Sequence, residues 1–168
     1  MSKTGFENST ILVDGEVSGF EPVHGLVYRT ATTTGISTTF IDMDFTGGQV
    51  ELKNITHDTG SNPERVAVDK AGVYEVSYII NGIADTDPHT HFAHVIVNGS
   101  TEVIGSEVAQ AASGAWAFQL SATFIVRLSA NDYLTLQMKV DALTSQYNAG
   151  AQFSTAVCGS MYIKKIAD

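Results

Sequence analysis

Over residues 116–128 the chain alternates strictly, with Trp116, Phe118, Leu120, Ala122, Phe124, Val126 and Leu128 on one parity and Gln119, Ser121, Thr123 and Arg127 on the other. A period of two marks a strand with one face in the core and the other in water. Ser129, Ala130, Asn131 and Asp132 make a turn by composition, and the period resumes over residues 133–140, where Leu134, Leu136, Met138 and Val140 alternate with Thr135, Gln137 and Lys139. These two runs are expected to pair antiparallel. Residues 65–69 and 73–82 form a second couple, joined by Lys70, Ala71 and Gly72 in the manner of a short hairpin. The second of these runs is apolar on both faces: Tyr74, Val76, Tyr78 and Ile80 line one side, and Val73, Ser77, Ile79 and Ile83 help line the other. That is the pattern of a strand covered on both sides, and the second cover can come from another chain.

Further runs at 26–30, 38–45, 49–55, 92–97, 102–108 and 153–166 bring the total to about ten short strands, the number and spacing of a sandwich or jelly roll. Composition agrees, since 16 Val, 12 Ile and 18 Thr make 46 of 168 residues β-branched, a type that packs well on a pleated surface and loses rotamer freedom in a helix. The expectation is an all-β antiparallel sandwich over residues 23–168. Residues 1–22 carry no sustained period and include Gly5, Gly15, Gly19 and Pro22. They are read as an N-terminal arm that becomes ordered only against a partner.

Charge narrows the partners. Nine Lys and Arg stand against 18 Asp and Glu, for a net charge of -9, and only Lys164 and Lys165 sit together, so no nucleic acid is expected as a partner. The first twenty residues hold no apolar run of signal-sequence length, and no stretch is long enough to span a membrane, so synthesis in the cytoplasm without a signal peptide and no membrane partner are expected. Charged residues make up only 16% of the chain, low for a fully exposed surface, and part of that surface is expected to be an interface. The three sequons at Asn8, Asn54 and Asn98 are read as chance.

The chemistry of catalysis is not visible in the sequence. No nucleophile elbow, zinc-protease helix, phosphate loop, cysteine pair or dinucleotide fingerprint occurs, and neither an enzyme nor a cofactor is expected. Cys158 has no histidine close in sequence to activate it and reads as a small buried residue. Asp42 and Asp44, two apart, share a strand face and read as solvated. The densest cluster is at 85–94, where Asp85, Asp87, His89, His91 and His94 fall within ten residues. In an extended strand His89 and His91 point the same way, which makes them the candidate metal pair, while His94 faces the other side. Three readings stay open: a bound metal, a polar connection without any ion, and a trimer seam sensitive to histidine protonation.

Residues 54–83, NITHDTGSNPERVAVDKAGVYEVSYIINGI, resemble the central part of the jelly roll shared by complement globular heads and tumour necrosis factor ligands, in which a polar loop leads through a short strand to an "aGvYevsy" strand. The resemblance continues through Val95-Ile96-Val97-Asn98-Gly99, through the strand and turn ending at Asn131-Asp132, and into 153–166, which looks like the terminal strand of that fold. It implies a compact homotrimer in which one edge of each sandwich packs against the side of the next, with Tyr74, Tyr78, Trp116, Phe118 and Phe124 divided between core and trimer seam. Members without a signal sequence or collagen-like stalk look most like accessory proteins of tailed-phage virions. The resemblance therefore implies a non-enzymatic virion structural protein, a capsid decoration (cement) protein on the head surface. Its arm, through Phe6, Ile11, Leu12, Val13 and Phe20, would grip the major capsid protein or another virion protein. The alternative is a trimeric receptor-binding module of a phage tail fibre or spike, or of a bacterial surface adhesin, taking a host-surface glycan in apical loops 85–90, 109–114 and 142–150.

Overall fold

Strands that carry apolar residues on alternate positions must close face to face on a second sheet to take those residues out of water. The structure, a computed structural model, describes residues 12–13, 16–17, 22–31, 33–34, 36–84, 88–112, 117–142, 146–147 and 157–168. Within them the chain runs through β1 (Leu12–Val13), β2 (Glu16–Val17), β3 (His24–Arg29), β4 (Thr33–Thr34), β5 (Ile41–Asp42), β6 (Gly48–Lys53), β7 (Ile55–Thr56) and β8 (Val66–Val68). It continues through β9 (Gly72–Ile83), β10 (His89–Val97), β11 (Thr101–Glu102), β12 (Val108–Ala112), β13 (Ala117–Leu128), β14 (Tyr133–Val140), β15 (Gln146–Tyr147) and β16 (Gly159–Ala167). β1 and β2 pair with each other.

The first large sheet runs β9, β16, β3, β6, with β13 along the other flank of β9 and β15 joining the end of β9 to β4. The second runs β11, β10, β14, β8, β7, with β12 against β10 and β5 against β14. Every pairing is antiparallel. This is the expected jelly-roll sandwich. Its core takes Tyr74, Val76, Tyr78, Ile80, Leu120, Phe124, Met161 and Ile163 from the first sheet and Ala93, Val95, Leu134, Leu136, Met138 and Val140 from the second. Each large side chain so buried contributes roughly 1.5–3 kcal/mol.

Two expected hairpins are not hairpins. β13 pairs with β9 over its whole length, from Ala117 opposite Ile83 to Leu128 opposite Gly72, whereas β14 lies between β10 and β8 in the other sheet. The turn at Ser129 to Asp132 therefore carries the chain across the sandwich, and Leu128 and Leu134 reach the core from opposite sheets. Its hydrogen bonds are local and transverse: Ser129 N–H donates to Asp132 Oδ2 at 2.7 Å, and Asn131 N–H donates to Val68 O at 2.7 Å. The connection through Lys70 and Ala71 likewise joins β8 in the second sheet to β9 in the first.

Other boundaries also shift. In 38–45 only Ile41–Asp42 joins a ladder, while Met43 and Phe45 turn into the core and their N–H groups donate to Leu136 O and Pro63 O, both at 2.8 Å. The run at 102–108 is broken at Gly105, whose φ of 84° makes a turn, and β12 begins only at Val108. Of 153–166, β16 covers the part from Gly159, and residues 151–156 lie outside the described residues. Left-handed backbone falls mostly on asparagine: among the described residues, of the five non-glycine positions with positive φ, Glu51, Asn54, Asn62, Asn98 and Asn131, four are Asn, the type whose short amide best tolerates that geometry. Two of the sequons are thereby explained as turn chemistry. Asn54 Nδ2 donates to Pro22 O at 3.0 Å and Asn98 Nδ2 to Asp132 Oδ1 at 2.8 Å.

Candidate functional site

The alternation that buries Tyr74, Val76, Tyr78 and Ile80 necessarily turns Val73, Glu75, Ser77, Ile79, Asn81 and Ile83 to the outside of the first sheet. The ladder registers align these with their neighbours into rows. One row reads Ser121, Ile79, Ser160, Tyr28 across β13, β9, β16 and β3, and the next reads Thr123, Ser77, Tyr162, Leu26. Neither row carries a charge. Charges gather at one end, where Glu75 lies between Ile125 and Lys164 and the row ends on His24. Ile79 is 40% and Ile125 62% exposed on this face. A hydroxyl-rich, uncharged surface whose charges are confined to its rim has the anatomy of a protein interface, whose centre is depleted in charge.

Of the aromatics divided between core and seam, the four within the described residues fall to the core. Tyr74, Tyr78, Phe118 and Phe124 are all buried in the core of the chain itself, because they occupy the inward parity of β9 and β13. Tyr78 hydroxyl donates to Ser106 O at 2.6 Å, and burial pushes its ionisation far above the ordinary phenol range. Burial likewise raises Tyr74, with Asp69 adding to the effect. The outward residues one position away include the exposed Ile79 and Ile125. Trp116 lies outside the described residues, as do Phe6, Ile11 and Phe20; of Leu12 and Val13 the structure gives the backbone pairing of β1 with β2.

The histidines of β10 divide as the alternation predicts. His89 and His91 face inward and His94 outward, but the first two are engaged separately. His89 Nδ1 lies 3.2 Å from Asp141 Oδ1, while His91, fully buried, stacks on Phe118 with ring centroids 3.9 Å apart. Burial, reinforced by the neighbouring His89 and opposed by Asp141, lowers the His91 pKa to about 4. The Asp141 carboxyl is held below its usual range, chiefly by the Thr90 N–H that donates to its Oδ2 at 2.9 Å. Among the described residues no three His, Cys, Asp or Glu side chains come together as a metal site. His94 stacks on Phe40 at 3.8 Å and shares a 2.9 Å hydrogen bond with Gln137 Oε1.

The remaining reactive side chains are also committed. Asp42 Oδ1 accepts from Gln137 Nε2 at 2.7 Å, whereas Asp44 pairs with Arg29, so the two carboxylates do not converge. Cys158 is buried, its thiol donates to Ala31 O at 3.1 Å, and burial raises its pKa. Of the three apical loops, only 88–90, 109–112, Ala142 and 146–147 fall within the described residues. The sequence reading passed over a cleft on the other sheet, between Arg65 and Tyr133. Its signal was the polar run Asp58 to Pro63 opposite a turn, a run that spacing alone does not separate from an ordinary loop.

No family model matches the sequence, and no curated protein matches it. Solved structures do. The chain is similar to murine APRIL at pH 5.0, with a TM-score of 0.58 at 8% identity over 86% of this chain and 99% of that one. It is also similar to the Eiger TNF from S. frugiperda, with a TM-score of 0.58 at 13% identity over 89% of this chain and 95% of that one. At such identities the likeness is one of fold: the chain has a tumour necrosis factor-like jelly roll.

Proposed function

We propose that this jelly roll is a non-enzymatic structural protein of a tailed-phage virion, a homotrimer that decorates and stabilises the head. The observation that carries the trimer is the uncharged pair of rows on the outward face of the first sheet, with Ile79 standing out of one of them and Ile125 exposed in the charged row beside them. A surface of this kind is satisfied by a second copy in a closed ring, which hides it three times over without leaving an open end. The capsid role rests on the family resemblance and on the arm. The arm includes the paired strands β1 and β2; opened to full extension, about twenty residues reach some 65 Å, enough to cross from the trimer onto a neighbouring capsid subunit, and ordering them there adds contact area that the free trimer lacks. Fold alone assigns no such role.

Sedimentation of the full-length chain and of a chain lacking residues 1–21, each alone and mixed with particles devoid of the protein, tests this reading. Both forms are expected to run as trimers, and only the full-length form to pellet with particles. If neither form binds particles while both bind host cells, the receptor-binding alternative replaces decoration.

A further inference from the structure

The second sheet turns away from the proposed assembly face and carries a recess of its own. A cleft of about 290 Å³ opens there between Thr56, Asp58, Ser61, Asn62, Arg65 and Tyr133. This is the lower limit for small-ligand sites, room for one ring and not for a folded segment. Its walls are fixed before any ligand arrives. Asp58 Oδ1 accepts from the N–H groups of Gly60 at 2.8 Å and Ser61 at 3.2 Å, and Asn62 holds a left-handed φ of 53° while its carbonyl accepts from Arg65 N–H at 2.9 Å. His57 anchors the loop from beneath, its two ring nitrogens 3.1 Å from Gln49 Oε1 and 3.1 Å from Pro63 O. The Arg65 guanidinium lies 4.7 Å above the Tyr133 ring and is steadied by Glu64 Oε1, 3.2 Å from its Nε.

These groups decide the class of ligand. Arg65 is matched by Glu64 and shares the lining of the cleft with Asp58, so the site has no net positive charge with which to hold a free anion. It offers instead an even mixture: guanidinium N–H donors, a carboxylate oxygen beyond the one used by the loop, and around them the Asn62 amide, whose Nδ2 donates to Ser61 Oγ at 3.3 Å, and the Thr56 hydroxyl, which donates to Asp69 Oδ1 at 3.0 Å. A ligand that both donates and accepts at several adjacent positions matches such a mixture, and a neutral polyol does so at every hydroxyl. We propose that this cleft binds a single neutral hexose unit of a glycan, with Asp58 accepting from a pair of adjacent sugar hydroxyls and Arg65 donating to a neighbouring one. Rigid walls reduce the ordering cost that otherwise defeats so small a contact.

The test is a titration of the isotope-labelled full chain, followed by amide shifts, with the methyl glycosides of glucose, galactose, mannose and N-acetylglucosamine, and separately with galacturonate and inorganic phosphate. At least one neutral glycoside is expected to saturate with a Kd of order 1–10 mM, shifting amides of residues 56–65 and Tyr133. Arg65→Gln and Asp58→Asn are each expected to weaken it by about fivefold or more, and Thr56→Val, which loses the bond to Asp69 Oδ1 but leaves the Asp58 loop bonds in place, to weaken it less. The proposal is overturned if no neutral glycoside saturates by roughly 50 mM. It is equally overturned if phosphate or galacturonate binds the cleft more tightly than every neutral sugar, or if the shifts persist unchanged in both Arg65→Gln and Asp58→Asn chains whose spectra are otherwise native. Because the readout is local, its failure is distinct from loss of trimer or particle binding.

Discussion

His91 lies nearly flat against Phe118, their ring planes inclined by 24°, so that a histidine of one sheet and an aromatic of the other close one end of the sandwich. The imidazole is fully buried, and its charged form would sit where water cannot reach it. The stack therefore favours the neutral ring.

Acid should weaken the fold through this residue. His91 titrates near its ordinary 6.5 when unfolded and at about 4 when folded. It therefore contributes nothing to pH dependence above about 6.5, and protonation of the unfolded chain costs stability progressively as pH falls toward 4, by roughly 3 kcal/mol in all. The difference in urea midpoint between His91→Phe and the parent chain is expected to move in favour of the variant between pH 7 and pH 4.5. A difference that stays flat across that window would remove His91 from the account.

Gly82 lies under the Phe118 ring, and a β-carbon there would fall inside van der Waals contact with the ring. Phe118 is held between Gly82 and His91 and has little room to yield. Gly82→Ala is expected to cost about 2–3 kcal/mol, read as a lowered melting temperature. Gly159→Ala meets the flexible end of Met43 instead and should cost less; the reverse order would contradict this packing.

Asn98 ties two turns together. Its Nδ2 donates to Asp132 Oδ1 at 2.8 Å and its Oδ1 accepts from Tyr133 N–H at 3.1 Å, from a left-handed backbone with φ of 51°. Asn98→Ala loses both bonds and strains the turn, and is expected to destabilise by about 2 kcal/mol. Asn98→Gly keeps the backbone and should recover roughly half of that. Equal costs for the two would mean that backbone geometry plays no part.

On the outward face, Ile125→Glu and Ile79→Arg place charges in a surface proposed to be buried between copies. Each is expected to convert trimers into monomers at micromolar concentration, with little change in the circular dichroism spectrum. Trimers that persist in the double variant would move the interface to another face.

The sequence made faces legible and left partners hidden. The parity of 117–128 and 133–140 assigned Phe118, Leu120, Phe124, Leu134, Leu136, Met138 and Val140 to the interior, where they are. Parity cannot say which strand lies alongside, since a tight turn serves a hairpin and a crossing between sheets equally well; Ser129 to Asp132 and Lys70 to Gly72 both cross. Size did not separate core from surface among the aromatics: the four described ones are all in the core, since large rings are the most valuable core residues, while the exposed Ile125 sits on a mostly polar parity and drew no notice. The cleft at Arg65 was illegible for a third reason: Tyr133 enters it from a strand distant in sequence.

Connections that cross the sandwich also govern how the chain acquires its structure. β9 receives no hairpin partner from the strands next to it in sequence, and is flanked by β13 and β16, reached only after long intervening segments. Loop-closure entropy must be met before either ladder forms, so refolding is expected on the slow, millisecond-to-second side of single-domain kinetics. During that interval β9 offers two open, β-branched edges to any neighbouring chain, and the lifetime of that intermediate sets how concentrated the protein can be while it folds.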